Sequence, residues 1–403
     1  MRIRRRRICF VQIADQLLPD LGALFSGELK MRAQPQVELL CPISGERIRV
    51  YGHEMEFLSG LPSDTWTESG TSIQAGHIAA HQLQDMAQRH VILTDDEGDS
   101  ISRRILEAED TMQRIGWYDL TAMYHAMTRW SGMADDVATR EHTPEAHRAR
   151  LTDVAEMHGP PPAHFPRRED AISRHQLVRP AFDTPLAHIL RARRTTRVFK
   201  REATLPQADL AHMLYGCFGA IATREFAPGA TAVKRTSASG GGLTPIDPYP
   251  LIMRVEGLEP GIYHYDMGSH ALELLKPMPE DAVRELVMGV TAGQNYFTDA
   301  QAVVVHVGRF DRHHWKYRSH AKAYKALLMD SAHLSQTFYL LATELGRGAF
   351  YTAAINDADL SDHLDLDPVG AAPFGINGLG VKASESNEEA LHFNPEPYSP
   401  SLE

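Results

Sequence analysis

Lys316-Tyr317 is a residue pair in this 403-residue chain with the makings of proton chemistry. A lysine serves as a general base near neutral pH only where burial or neighbouring cations lower its proton affinity. Arg318 and Lys322 supply such cations in the sequence. The plain alternative is two exposed residues ahead of a helix. A second cluster, Arg191-Ala192-Arg193-Arg194-Thr195-Thr196-Arg197, places four arginines and two hydroxyls in seven residues. Guanidinium forks and hydroxyls at that density make several charge-assisted bonds to a phosphate dianion, although an exposed basic turn has the same composition. A third stretch, from Lys234 to Pro245, holds three successive glycines, Gly240, Gly241 and Gly242. Backbone without Cβ atoms approaches a flat ligand closely or offers N–H groups to an anion. A merely flexible loop reads the same way.

These groups need elements to hold them. From about Ala321 to Leu345 apolar or small residues recur at Tyr324, Leu327, Leu328, Ser331, Leu334, Ser335, Phe338, Leu341, Ala342 and Leu345. That spacing, with no proline inside and Gly346 just past the last turn, predicts one long helix. Its weakly charged outer face predicts burial on most sides, in a core or a subunit interface. Asp330, His333 and Gln336 lie within it and require partners; the simplest reading is that they tie the helix to its surroundings rather than act in catalysis. Around it, Leu186–Leu190 leads into the arginine run, and Ala208–Ile221 predicts a core helix. Tyr249–Val255, Gly261–Tyr265 and Ala302–Val307 predict strands. Strands alternating with helices over this half argue for an α+β domain.

The first third reads differently. Val37–Leu40 and Ile48–Tyr51 flank the turn-like Pro42–Glu46 and predict a strand pair. Helices over His53–Pro62 and Ala75–His90, then a strand at Val91–Thr94 and an acidic turn, give the layout of a small winged-helix-like unit in residues 1–100. Its second helix offers Gln82, Gln84, Asp85 and Gln88, with Arg89 its one fixed cation. Phosphate contacts dominate DNA affinity, so DNA binding ranks behind a structural domain and a peptide-docking wing in which a leader peptide adds a strand to an open edge. Residues 102–134 predict helix with aromatic anchors Trp117, Tyr118, Tyr124 and Trp130. Asp135–Pro180, broken at Gly159-Pro160-Pro161-Pro162, reads as a surface linker.

Composition closes off other classes. The formal charge of −11 excludes a general nucleic-acid binder, and the basic run Arg2–Arg7 reads as a solvated chain end. Cys9, Cys41 and Cys217 are far apart and odd in number, with neither a disulfide framework nor zinc spacing, which fits a reducing cytoplasm. No signal peptide is seen at the start, and no segment approaches the roughly 20 apolar residues that span a bilayer. No metal is expected. The 21 histidines include no HExxH-type spacing, and His313-His314, like His142 and His147, read as surface residues.

Taken in order, RRTTRVF (193–199), RTSASGGGLTP (235–245), GIYHYD (261–266), Lys316-Tyr317 and the long helical stretch resemble the flavin-dependent nitroreductase superfamily. More narrowly they resemble the SagB-type dehydrogenases of ribosomal peptide maturation, which bind FMN. The resemblance covers roughly residues 186–382 and implies a nitroreductase-like FMN domain over 186–403, after a helical segment and linker at 101–185. It implies that Arg193, Arg194, Thr195 and Arg197 bind the FMN phosphate and the pyrimidine edge of the ring. Ser239, Gly240, Gly241 and Gly242 correspond to a loop that lies along the flavin, and Lys382 to a late phosphate contact. Ala238 stands where relatives usually carry proline and Gly240 where they carry alanine, which implies a less preorganised loop. Lys316 and Tyr317 match the pair that azoline-oxidising members use, Lys316 as base and Tyr317 as positioning group or proton partner. Further implications are a homodimer packed across the long helix, a precursor peptide as substrate, a partner modifying enzyme and oxygen as final acceptor. No GxGxxG fingerprint for a tightly bound nicotinamide is present. Competing readings are another flavin redox reaction, on a dehydroamino acid, nitro compound or quinone, and a peptide-binding scaffold without catalysis.

Overall fold

In the computed structural model, which describes residues 1–134 and 144–383, the basic N-terminus is a central strand rather than a solvated end. Arg2–Arg5 lies between Thr67–Glu68 and Ile92–Thr94 in an antiparallel three-stranded sheet. The expectation fails because carboxylates distant in sequence meet these arginines. Arg4 Nη2 donates to Glu109 Oε2 at 2.9 Å, both side chains being buried, and Arg2 Nε donates to Asp95 at 2.6 Å. Arg6 Nε donates to the His90 carbonyl. A buried cation persists only when paired in this way. His142, the His147 side chain and the acidic stretch Glu385–Glu403 lie outside the described residues.

The chain forms two compact units. The first comprises Met1–Arg129, Phe310–Lys325 and Asp367–Ala371. Helices Gly52–Gly60 and Ala80–Gln88 pack with this sheet around Ile3, Leu58, Leu83, Met86 and Ile92. The helix expected over Ala75–His90 starts five residues later, at Ala80, because a separate short helix, Ser69–Gln74, ends at Ala75-Gly76 with Gly76 at positive φ. The predicted strand pair is present, Val37 opposite Val50, but its first strand runs the whole of Met31–Leu40. That strand also pairs with Phe10–Pro19 in unbroken register from Phe10↔Leu40 to Pro19↔Met31. Asp20 caps the short helix Leu21–Phe25 at the hairpin end. The hairpin exposes Ile13, Leu17 and Phe25, the last at 91%. Two further helices, Ser100–Ile115 and Asp119–Thr128, cover the span read as one helical region. They are separated at Gly116, whose φ of 86° closes the first with a left-handed cap.

The second unit takes in Trp130–Arg309, Ala326–Leu366 and the chain from Ala372. Its frame is a six-stranded sheet in the order Ala271–Pro277, Gly261–Asp266, Ile246–Ile252, Ala302–Arg309, Ala371–Gly380, Gly348–Thr352. Ala302–Arg309 is apolar and buried from Ala302 to Gly308, as a strand covered on both faces must be. This unit is thus α+β, as expected, with its six-stranded sheet in the C-terminal half. The long helix runs Ala323–Glu344. Leu327, Asp330, Ser331, Leu334, Ser335, Phe338 and Ala342 form its buried face. Its opposite strip, including Leu328 and Met329, is exposed within the chain, so the helix is buried on one side rather than most. The span read as a linker contains a helix, Pro144–His158, and then an irregular exposed stretch up to Thr184. No helix among the described residues is long and apolar enough to cross a membrane.

Candidate functional site

The arginine run begins where helix Pro185–Ala192 stops, at Arg193. Beyond it the chain is extended and pinned: Thr196 N donates to Ala349 O at 2.9 Å, and Lys200 N to Val381 O at 2.9 Å. A bridge sets Phe199 opposite Lys382, and Ala383 N donates to Val198 O at 3.1 Å. Backbone pairing thus brings Lys382 beside the arginine segment. Along it Thr196 and Phe199 are buried, and Arg194 and Arg197 are exposed. Arg193 lies over the Tyr339 ring at 5.4 Å and Arg197 over Tyr296 at 5.6 Å, while Thr195 Oγ1 is 3.5 Å from Tyr339 Oη. Among the described residues, none of Arg193, Arg194, Arg197 and Lys382 is ion-paired with a carboxylate. Three cations on one pinned segment, with a fourth on the chain bridged to it, suit an anionic ligand.

Close approach of that segment depends on a glycine. A Cβ at Gly348 would lie 2.6 Å from Thr196 Cγ2 and 2.8 Å from Phe199 Cε1. Tyr296, Tyr339 and Gly348 were missed in the sequence. The tyrosines carry no motif, and one glycine in a strand has no signal beyond its lack of a side chain.

The glycine loop is held by the long helix. Ser239 Oγ donates to Asp330 Oδ2 at 2.6 Å, and Gly240 N donates to Asp330 Oδ1 at 3.0 Å. Thr244 N donates to Ser239 Oγ at 2.9 Å, and His333 Nδ1 is 3.2 Å from Ala238 O. Ser237 Oγ and Thr337 Oγ1 are 2.6 Å apart. Gly241 and Gly242 take φ of 63° and 68°, the left-handed region open to glycine. A Cβ at Gly242 would stand 2.9 Å from Ala232 Cβ. Asp330 and His333 therefore tie helix to loop, as the structural reading of those residues has it. Gln336 does not: it is exposed, and its side chain has no hydrogen bond among the described residues. Arg235, at the start of the loop, is buried. Burial pulls its guanidinium down to about 10, against the opposing pull of Asp247.

Lys316 and Tyr317 belong to the first unit. Lys316 closes a short helix, Phe310–Lys316, and is exposed among the described residues. Its ammonium lies 5.7 Å from the centre of the Tyr317 ring, which in turn lies 5.0 Å from the His313 ring. The following turn is stapled: Ser319 N donates to Gly116 O at 2.7 Å, and Arg318 Nη1 to Gln113 O at 3.4 Å. His313 and His314 are buried, not surface residues. His313 Nε2 donates to Ala323 O at 2.9 Å, and His314 packs edge-on to Trp117 at 4.8 Å. Burial drives the His314 imidazole down to about 4, with His313 and Arg318 adding to the effect. A helical period placing positions 313 and 314 inward was the signal available, obscured by the charged residues on either side. No group of three His, Cys, Asp or Glu among the described residues is placed to hold a metal.

Comparison with known proteins adds a family. Residues 190–380 match the nitroreductase family model. A protein of Methanocaldococcus jannaschii named as a nitroreductase is 25% identical over 181 residues, covering 45% of this chain and 84% of that protein. The trifolitoxin-processing protein TfxB of Rhizobium leguminosarum bv. trifolii is 23% identical over 137 residues, 34% of this chain. The match spans only 36% of that relative's own length. A solved structure of the Escherichia coli microcin synthetase McbBCD complex with truncated pro-MccB17 bound aligns at a TM-score of 0.48 and 18% identity. That alignment covers 70% of this chain and 98% of the other.

Proposed function

Residues 190–380 being a nitroreductase-family domain, we propose that the protein is an FMN-dependent oxidoreductase of peptide maturation, dehydrogenating azoline rings to azoles. The observation that carries the flavin part is that Arg193, Arg194 and Arg197 on one segment, and Lys382 on the chain bridged to it, have no carboxylate partners among the described residues. With the glycine loop they fit a ligand that has a phosphate and a flat ring. Arg193, Arg194, Thr195 and Lys382 would hold the phosphate, Arg197 the pyrimidine edge, and Ser239 to Gly242 the ring face. Bound there, FMN supplies a two-electron acceptor for hydride.

The peptide part is supported by the likeness to a trifolitoxin-processing protein and by the extra first unit. Strand Phe10–Pro19 is one of the two outer strands of its sheet. Its open backbone edge suits a leader peptide added as a further strand, in a region we read as winged-helix-like. Lys316 would take the proton released from the azoline ring carbon, and Tyr317 would position that ammonium or share the proton. Arg197 would stabilise negative charge arising at the pyrimidine edge. The exposed strip with Leu328 and Met329 favours a homodimer formed across the long helix.

Co-expression with the neighbouring precursor peptide and any modifying partner, followed by mass measurement of the peptide, tests this. Loss of two hydrogens, abolished in a flavin-loaded Lys316→Met variant, is the expected result. Undiminished turnover in that variant would remove Lys316 from the role. The likeness to a protein named as a nitroreductase favours a second reading, a flavin reductase. A gain of two hydrogens, or turnover of nitro compounds in place of peptide, would select it.

A further inference from the structure

We propose that Asp330 is the positioning residue of the glycine loop, an anchor that holds Ser239 and Gly240 so that Gly241 is presented with its N–H unspent. Three consecutive glycines form the most mobile backbone a chain can have, and ordering them is entropically unfavourable. Here the segment has a defined shape, and the donor inventory shows its source. Gly240 N–H goes to Asp330, Gly242 N–H to Ser239 O at 3.0 Å, Leu243 N–H to Gly240 O at 3.3 Å and Thr244 N–H to Ser239 Oγ. Of the donors from Gly240 to Thr244, Gly241 N–H alone has no acceptor among the described residues, and Gly241 is exposed. Ser239 Oγ is the hinge of the arrangement, donating to Asp330 and accepting from Thr244.

The carboxylate is committed to the loop. Asp330 is only 4% exposed. Oδ2 accepts from Ser239 Oγ and lies 3.3 Å from Gly240 N, while Oδ1 accepts from Gly240 N. A group so engaged is not available to substrate, so its action runs through the loop. Bonds to an ionised acceptor are the strong kind, and Asp330 sits on a helix whose neighbouring residues Leu327, Leu334 and Phe338 are buried. The anchor is therefore stiff. It offsets the absence of a rigid residue at Ala238, since Ser239 and Gly240 are fixed from outside the loop instead of by their own backbone.

This inference rests on the reading that the loop receives a flavin, and the test separates the two. Amide hydrogen exchange at Gly240–Thr244 is measured on the flavin-free protein, and dissociation constants for FMN and riboflavin on the same samples. Asp330→Ala should speed loop exchange at least tenfold and weaken both flavins by roughly the same factor, about 10- to 100-fold. Asp330→Asn keeps one acceptor for Gly240 N–H and should recover part of both losses. Ser239→Ala leaves the helix untouched and should act in the same direction, more weakly. It carries the test if the alanine variant at 330 fails to fold. Unchanged exchange and affinity in Asp330→Ala, or in Ser239→Ala where it stands in, would overturn the anchor. If no flavin binds the wild type, the flavin reading falls while the exchange measurement still decides the anchor.

Discussion

Replacing Lys382 by alanine should weaken FMN while leaving riboflavin nearly untouched. Lys382 is half-buried, and its backbone pairs with Phe199, two residues from Arg197. Nothing acidic neutralises it among the described residues. A net charge-assisted hydrogen bond contributes about 1.5–3 kcal/mol. Partial exposure and salt reduce that, and a lysine offers a point charge rather than a fork. About 1–2 kcal/mol remains, roughly 5- to 30-fold in the FMN dissociation constant. The assay is titration of flavin-stripped protein with FMN and with riboflavin by fluorescence, at two salt concentrations. The ratio of the two constants is the quantity of interest. Damage to the fold would weaken both ligands alike, whereas a lost phosphate contact falls on FMN alone and flattens its salt dependence. Equal weakening of the two, or a wild type that binds them with the same affinity, would refute the reasoning.

Arg197→Ala, by contrast, should weaken FMN and riboflavin together and lower the midpoint potential of the bound flavin, because a cation near the pyrimidine edge favours the reduced anionic form; an unchanged potential in a spectroelectrochemical titration would place Arg197 elsewhere. Gly348→Ala should cost about 1–3 kcal/mol of stability by pushing its Cβ into Thr196 and Phe199, seen as a lower thermal midpoint with looser FMN binding. The buried imidazoles of His314 and His306, which burial holds down to about 4 and about 3, predict acid lability. Both are depressed below the ordinary histidine value, so their stabilising contribution is complete above about pH 6.5 and is lost as pH falls toward 4 and then 3. Denaturant midpoints between pH 7 and 4 should fall, and His314→Phe should flatten part of that slope.

How much of this was legible in the sequence follows from how local each signal is. The long helix, the core strands and the order of the arginine, glycine and Lys-Tyr motifs were readable because each is a pattern within a few turns or one strand. The helix boundaries came out within a few residues at Ala323 and Gln207. What escaped were pairings across long sequence distances. Arg4 looked like a solvated end because Glu109 is 105 residues away. The strand Phe10–Pro19 was passed over because Asp15 and Gln16 interrupt its apolar alternation, and its partner lies beyond an intervening helix. His313 and His314 looked like surface residues because the groups that enclose them, Trp117 and the Ala323 carbonyl, are not sequence neighbours.

The same distinction bears on the candidate site. Three glycines in a row were legible as a loop, but whether such a loop is slack or shaped is decided by a carboxylate 90 residues further on. Departures at Ala238 and Gly240 read as loss of preorganisation when only the loop's own residues are weighed. Hydrogen bonds to Asp330, on the buried face of the helix, and His333 at Ala238 O supply that order, and the cost of shaping glycine is met by partners at fixed positions. The arginine segment follows the same logic, since its extended course is imposed by Ala349 on one strand and by Val381 and Lys382 just past the end of another. In both places residues remote in sequence supply the geometry, side chains at the glycine loop and backbone at the arginine segment. A change in either loop's own sequence is therefore a poor guide to loss of function unless its distant anchor changes too.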